Sequence, residues 1–178
     1  AQHTILNVYG AKNCDDGIRY TSSSGGMFTL FANAVLQSGG TVFGAELDDA
    51  FQVCHTSITN TGELFKLRGS KYVQSKMTGI FKKVRTLLNN GKKVLFSGTP
   101  CQISGLKGFL TKDYENLTTV DVVGHGDPSA KVYNKYLQEI ASDTGESITK
   151  VNFRDKANGW KQGETLFVTK AHRIGAPK

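Results

Sequence analysis

The apolar residues of this chain recur at a helical spacing in four segments. The predicted helices are Gly25–Gln37, a segment that ends at Asn90-Gly91, a segment after Pro100 and a segment capped by Ser129. Their apolar faces are, in order, Met27, Phe28, Phe31, Ala34 and Val35; Ile80, Phe81, Val84, Leu87 and Leu88; Ile103, Leu106, Phe109 and Leu110; and Val132, Tyr133, Tyr136, Leu137 and Ile140. Each helix is therefore expected to bury one side.

Short runs rich in β-branched and aromatic residues predict strands between these helices. They are Thr4–Tyr9, Thr41–Leu47, Phe51–Thr59, Lys93–Phe96, Leu117–Val123, Ile148–Phe153 and Leu166–Lys170. A turn at Asp48-Asp49 makes the second and third runs an antiparallel hairpin. The polar stretch Lys12–Ser24 is interpreted as a loop.

The order of these elements predicts an α/β fold with a mixed, largely parallel sheet flanked by helices and an N-terminal antiparallel hairpin. One helix joins Lys93–Phe96 to Leu117–Val123, so these strands should be parallel neighbours. Ligands of such sheets lie beyond the carboxyl ends of the strands. This rule selects the loops Ser97–Gln102 and Gly124–Ser129. We expect a single domain over residues 1–178.

Composition and charge narrow the function classes. The 178 residues carry a net charge of +7, which permits anionic partners. The basic residues are scattered without interleaved aromatics, so we expect no nucleic-acid binding. No apolar run is long enough for a membrane span. The three separated cysteines exclude a disulfide scaffold and suggest a reducing compartment, hence the cytoplasm. The chain begins at Ala1, and we expect it to be a fragment of a longer protein.

Two glycine-containing segments are candidate ligand loops. Ser22-Ser23-Ser24-Gly25-Gly26 precedes a helix, where exposed N–H groups can hold a phosphate; a flexible N-cap loop is the alternative. Gly69-Ser70-Lys71-Tyr72 offers a lysine for an anion and a tyrosine for stacking on a flat cofactor. Composition alone favours a surface turn for this second segment. The P-loop pattern is absent.

The loop Ser97-Gly98-Thr99-Pro100-Cys101-Gln102 delivers a cysteine to a helix N-terminus, where the helix dipole favours a thiolate. Cys101 is therefore a candidate nucleophile, redox group or metal ligand, or else a small buried residue. His125 ends the next strand, and parallel pairing would bring it to Cys101. A Cys101–His125 nucleophilic enzyme is one hypothesis; a structural histidine is the alternative.

Six segments in order resemble the beta subunits of coenzyme F420 (deazaflavin) hydrogenases and dehydrogenases, in their C-terminal catalytic region. They are Ser22–Phe28, Gly40–Ala45, Arg68–Ser75, Val94–Gln102, Asp121–Ser129 and Phe153–Trp160. The resemblance implies an FAD-binding oxidoreductase that passes electrons between an iron–sulfur donor and a hydride acceptor such as a deazaflavin. An acidic electron-transfer protein or a partner subunit would then dock on the basic chain.

The resemblance also implies candidate roles for individual residues. The FAD contacts would be Ser22, Ser23, Ser24, Gly25, Gly26, Ser70, Lys71, Tyr72, Gly98, Thr99 and Gln102. Cys101 would be a cluster ligand, but Gly124 stands where the family usually has a second cysteine. Glycine cannot ligate iron, so the sequence argues against an iron–sulfur cluster held by this chain alone. A non-catalytic remnant or interaction fragment of the same fold is the alternative.

Overall fold

The computed structural model describes residues 7–124, 126–157, 159 and 164–176. Their helices are α1 (Asp16–Thr21), α2 (Met27–Gln37), α3 (Leu64–Leu67), α4 (Ile80–Asn89), α5 (Pro100–Leu110) and α6 (Ala130–Thr144). Their strands are β1 (Thr41–Leu47), β2 (Val53–Ile58), β3 (Val94–Gly98), β4 (Leu117–Asp121), β5 (Lys150–Asp155), β6 (Glu164–Val168) and β7 (Arg173–Ala176). The sequence of elements confirms the α/β prediction.

The first sheet has the order β2-β1-β3-β4. β1 pairs with β2 antiparallel and with β3 parallel. β3 pairs with β4 parallel, with Val94 opposite Leu117 and Gly98 opposite Asp121. This sheet confirms the predicted hairpin and the predicted parallel pair, and it places the loops after β3 and β4 at one edge.

Alternate residues of the central strands bury opposite faces of this sheet. Phe43, Val94 and Phe96 pack with α4 and α5, and all three are at most 1% exposed. Val42 and Leu95 pack on the other face against α2 and α3. The sheet therefore forms the middle layer of three.

The last strands form a separate sheet, in the order β5-β6-β7 and antiparallel throughout. A third apolar cluster joins this sheet to α6 and to the start of β2, through Phe153, Phe167, Tyr133 and Val53. Sequence patterning predicted the first two strands and missed β7. It also did not predict that they leave the parallel sheet.

Three local predictions need correction, and one helix was missed. Residues 7–9 carry no strand, while residues 4–6 lie outside the described residues. The predicted loop over Lys12–Ser24 contains α1, because the Asp15 side chain accepts a hydrogen bond from the Ile18 amide and caps a short helix. α3 was not predicted. On α6, Val132 is 64% exposed, so the apolar face is narrower than the periodicity suggested.

Candidate functional site

The serine–glycine loop, residues 22–26, joins α1 to α2, and hydrogen bonds of Ser22 and Ser23 with neighbouring segments fix its position. Ser22 is buried and its hydroxyl donates to the Ile18 carbonyl at 2.6 Å. The Ser23 hydroxyl accepts a hydrogen bond from the Ser70 amide at 2.7 Å. Gly26 has a φ of +77°, in the left-handed region that glycine favours, and caps α2. Ser24 is exposed and remains the loop hydroxyl that faces solvent.

Arg68 and Lys71 tie the segment 68–72 to its surroundings. The Arg68 guanidinium donates to Thr21 Oγ1 at 3.0 Å and to Thr29 Oγ1 at 3.2 Å, so it bridges α1 and α2. Lys71 Nζ donates to the carbonyls of Lys66 and Arg68 at 3.0 and 3.1 Å, at the end of α3. Burial lowers the pKa of Lys71 to about 8. The ammonium uses two of its three hydrogens on these carbonyls.

Tyr72 and Arg154 bring the second sheet to this segment. The Tyr72 ring packs edge-on against Phe153, with ring centroids 6.2 Å apart. Arg154 Nη1 lies 3.5 Å from the Tyr72 hydroxyl. Arg154 Nε is buried and has no hydrogen-bond partner among the described residues. A buried donor of this kind is costly unless something accepts from it.

Lys156 supports the serine–glycine loop from below. The residue is 6% exposed, and Nζ donates to the carbonyls of Ser22 and, at 3.1 Å, of Arg19. Lys156 follows β5, so the second sheet holds a loop that belongs to the first half of the chain. Sequence reasoning missed this residue, although it lies within the motif Phe153–Trp160.

Three hydrogen-bonded side chains, those of His55, Ser75 and Gln102, support the turn between β3 and α5. His55 Nε2 lies 3.0 Å from the Ser97 carbonyl oxygen, and His55 Nδ1 lies 2.8 Å from Ser75 Oγ. Gln102 Nε2 donates to Ser75 Oγ at 2.9 Å, and Gln102 Oε1 accepts from the Thr99 amide at 3.0 Å. The His55 ring stacks on Phe96 at 5.4 Å between centroids. Neither His55 nor Ser75 was selected as a site residue from the sequence.

A cleft of about 380 Å³ opens at the start of β2. Its lining comes from β2 and the turn before it, from residues 74–76 and from the first residue of α6: Asp48, Gln52, Val53, Cys54, Gln74, Ser75, Lys76 and Ala130. Ser75 belongs both to this lining and to the chain that holds Gln102. Ser75 therefore connects the cleft to the side chains that support the β3–α5 turn.

Cys101 lies in the first turn of α5 and is exposed. Its Sγ lies 3.0 Å from Thr99 Oγ1. A Cβ added at Gly124 would lie 3.8 Å from Thr99 Cγ2, so the loop after β4 reaches the turn that carries Cys101. His125 lies outside the described residues, and its pairing with Cys101 stays a prediction. Over the described part of the chain, no three His, Cys, Asp or Glu side chains gather as metal ligands.

The sequence matches two family models in chain order. Residues 8–82 match coenzyme F420 hydrogenase/dehydrogenase, beta subunit N-term, and residues 91–176 match the C terminus of the same subunit. The chain belongs to the coenzyme F420 hydrogenase/dehydrogenase beta subunit family. The resemblance read from the motifs is confirmed, and it extends to the N-terminal part of the family.

A solved structure shows the same fold. The chain is similar to one in the F420-reducing [NiFe] hydrogenase complex from Methanosarcina barkeri, with a TM-score of 0.60 and 18% sequence identity. The alignment covers 93% of this chain and 58% of that chain. No curated protein matches the sequence. Among the helices that the structure describes, none is both long and apolar enough to cross a membrane.

The predicted site residues fall into two groups in the structure of this family member. Ser22–Gly26 and Gly69–Tyr72 meet through the Ser23–Ser70 hydrogen bond. Gly98, Thr99, Cys101, Gln102 and Gly124 gather at the carboxyl edge of β3 and β4. The residues missed are Arg68, Arg154, Lys156, His55 and Ser75. One signal in the sequence points to His55. Successive side chains of a strand face opposite sides, and His55 lies two residues after Val53 on the buried side of β2.

Proposed function

We propose that this chain binds FAD and acts as the flavin module of an electron-transfer oxidoreductase. Electrons would pass from an iron–sulfur donor to a hydride acceptor such as a deazaflavin. Family membership supports the class of reaction, and the cations around Tyr72 support an anionic dinucleotide. When bound, FAD would supply the hydride and single-electron chemistry, and the chain would supply binding and orientation.

The observation that carries the proposal is a pair of half-buried cations, Lys71 and Arg154, that form no salt bridge with the described residues. Among the described residues, neither Lys71 nor Arg154 has a carboxylate within 4.0 Å. Both lie beside Tyr72, and Arg154 Nε finds no acceptor within the part of the chain that the structure describes. Withdrawing a cation from water costs free energy that neutral carbonyls or a phenol offset only in part, and a diphosphate would offset more of that cost. These donors therefore fit the diphosphate of FAD.

The two loops divide the remaining work. The exposed Ser24 hydroxyl and the neighbouring α2 N-terminus can donate to phosphate oxygens. Ser22 and Ser23 point their hydroxyls into the protein, so their part is to hold the loop in shape. Thr99, at the N-terminus of α5, presents its hydroxyl beside Cys101 and is a candidate contact to the flavin.

An iron–sulfur cluster does not fit the donors that the described residues offer. Cys101 has no second thiol across the loop, where Gly124 lies beside Thr99. The electron donor in the proposal is therefore a separate acidic protein, a partner subunit or a segment outside this sequence. No step of the proposal passes through a cluster on the chain itself.

Titration with FAD tests the proposal directly. Wild-type protein should quench flavin fluorescence saturably, and Lys71→Gln should weaken binding about tenfold, because a charge-assisted hydrogen bond is lost. Lys82→Gln is the matched control, since Lys82 is exposed on α4. Wild-type protein that binds no FAD would refute the proposal. Bound FAD that dithionite or a ferredoxin fails to reduce would favour the non-catalytic alternative.

A further inference from the structure

The hydrogen-bond chain through His55 starts and ends on the same turn. Its two ends are backbone groups of Thr99 and Ser97, one residue on each side of Gly98. An amide N–H can only donate and a carbonyl can only accept, so both ends have a fixed direction. The Ser75 hydrogen can point to His55 Nδ1 at 2.8 Å or to Met77 Sδ at 3.9 Å, and the shorter contact to the stronger acceptor gives the chain one consistent arrangement of hydrogens.

That arrangement assigns each polar atom one role. Gln102 Oε1 accepts from Thr99, so the Gln102 NH₂ group is the one that faces Ser75. The Ser75 hydroxyl accepts from Gln102 and donates to His55 Nδ1. His55 must then be neutral and carry its hydrogen on Nε2, which donates to the Ser97 carbonyl.

The surroundings of His55 favour the same state. The ring is 6% exposed and stacked on Phe96. Burial lowers the pKa of His55, and the charge of Lys71 lowers it further, so the imidazole is neutral at pH 7. A protonated ring would present two donors, and the Ser75 hydrogen would have to turn to Met77 Sδ, a weak acceptor 3.9 Å away.

We propose that His55 is a positioning residue, which acts through Ser75 and Gln102 to fix the turn that carries Thr99 and Cys101. The ring of contacts spans β2, the segment before α4 and the start of α5. Its purpose in flavin binding rests on the proposed function, whereas the fixed geometry of the turn does not. A histidine that only filled the core would leave the turn unchanged when Ser75 is altered.

Cys101 itself reports on the turn. Ser75→Ala breaks the chain at its middle, and His55→Phe breaks it while keeping a ring against Phe96. Both variants should change the rate of alkylation of Cys101 by iodoacetamide by roughly three- to tenfold, because the Thr99 hydroxyl that lies 3.0 Å from Cys101 Sγ moves with the turn and one hydrogen bond that fixes the turn is lost. Exposed Cys14 serves as the internal standard, read from the same digest by mass spectrometry.

Two further variants separate positioning from general damage. Ser75→Thr restores the hydroxyl and should return the Cys101 rate to the wild-type value. Ser104→Ala, at an exposed position of α5, should leave that rate unchanged. Cys101 rates that stay at the wild-type value in Ser75→Ala and His55→Phe would overturn the proposal.

Two measurements keep this proposal apart from flavin binding. Long-range ¹H–¹⁵N spectra of the wild-type imidazole should show the hydrogen on Nε2; a hydrogen on Nδ1 would overturn the proposal. If wild-type protein binds FAD, Ser75→Ala should weaken that binding by about the factor seen in alkylation. If wild-type protein binds no FAD, the proposed function fails, while alkylation and the imidazole spectrum still decide the role of His55.

Discussion

Gly98→Ala is the substitution that most directly tests the turn between β3 and α5. A Cβ at this position would lie 2.9 Å from Gln102 Oε1, 3.2 Å from Gln102 Cβ and 3.1 Å from a ring carbon of Phe96. The Gln102 amide would have to move away. The backbone at Gly98 is not left-handed, so alanine meets no strain in φ.

The magnitude follows from the contacts that Gln102 would lose. Its two hydrogen bonds, from the Thr99 amide and to Ser75, are worth about 1 kcal/mol each. Replacing glycine by alanine restores roughly 0.4–1 kcal/mol through the unfolded chain. The expected net loss in the free energy of unfolding is therefore about 1–1.5 kcal/mol. For a chain of this size the Tm should fall by about 2–6 °C.

Gly108→Ala, within the neighbouring helix α5, is the control. A Cβ at Gly108 would meet no atom within 4 Å, so alanine should stabilise α5 by about 0.5–1 kcal/mol. Differential scanning calorimetry of both variants should give opposite shifts in Tm. In a Gln102→Ala background, the cost of Gly98→Ala should shrink, because its closest neighbour is gone. A Gly98→Ala protein as stable as Gly108→Ala would refute the reasoning.

Three further predictions concern charge and space. The pKa of His55 is lowered on folding, so stability should fall as pH drops below about 6.5, where the unfolded histidine gains its proton first; urea titrations from pH 7.5 to 5 should lose this slope in His55→Phe. Lys71, with a pKa of about 8, should hold FAD more tightly below that pH than above it, and fluorescence titrations of Lys71→Gln should show a flatter profile. Gly124→Cys should keep the wild-type Tm, since its Cβ comes no closer than 3.8 Å to Thr99; it should bind iron only when other ligands are supplied, and full iron loading by this chain would contradict that ligand count.

Regular patterns made the main elements predictable. β1 and α2 were predicted at or near their observed ends because each combines a clear apolar period with a turn or a glycine at its limits. α1 was not predicted because it has no buried residue and therefore no apolar stripe. β7 was not predicted because its four residues, one of them a glycine, show no alternation of apolar and polar side chains. The strand depends instead on pairing with β6.

The candidate site was predictable only in its loops. The parallel pairing of β3 and β4 placed residues 97–102 and Gly124 together, as topology requires. The support of these loops was not visible, because it links residues far apart along the chain. His55 contacts Ser97 across 42 positions, and Ser75 contacts Gln102 across 27. Such contacts depend on the folded sheet and have no local pattern.

The contacts of Lys156 set an order in which the chain can be completed. The carbonyls of Arg19 and Ser22, which accept hydrogen bonds from Lys156, lie 137 and 134 residues earlier in the chain. During synthesis the first sheet has all its strands once β4 emerges, and α6 and β5 must still follow. The contacts between Lys156 and the serine–glycine loop therefore form only after β5 has been made. Contacts of such long range slow folding. A ribosome-bound chain that stops before β5 would carry the parallel strands with that loop still lacking its contacts to Lys156.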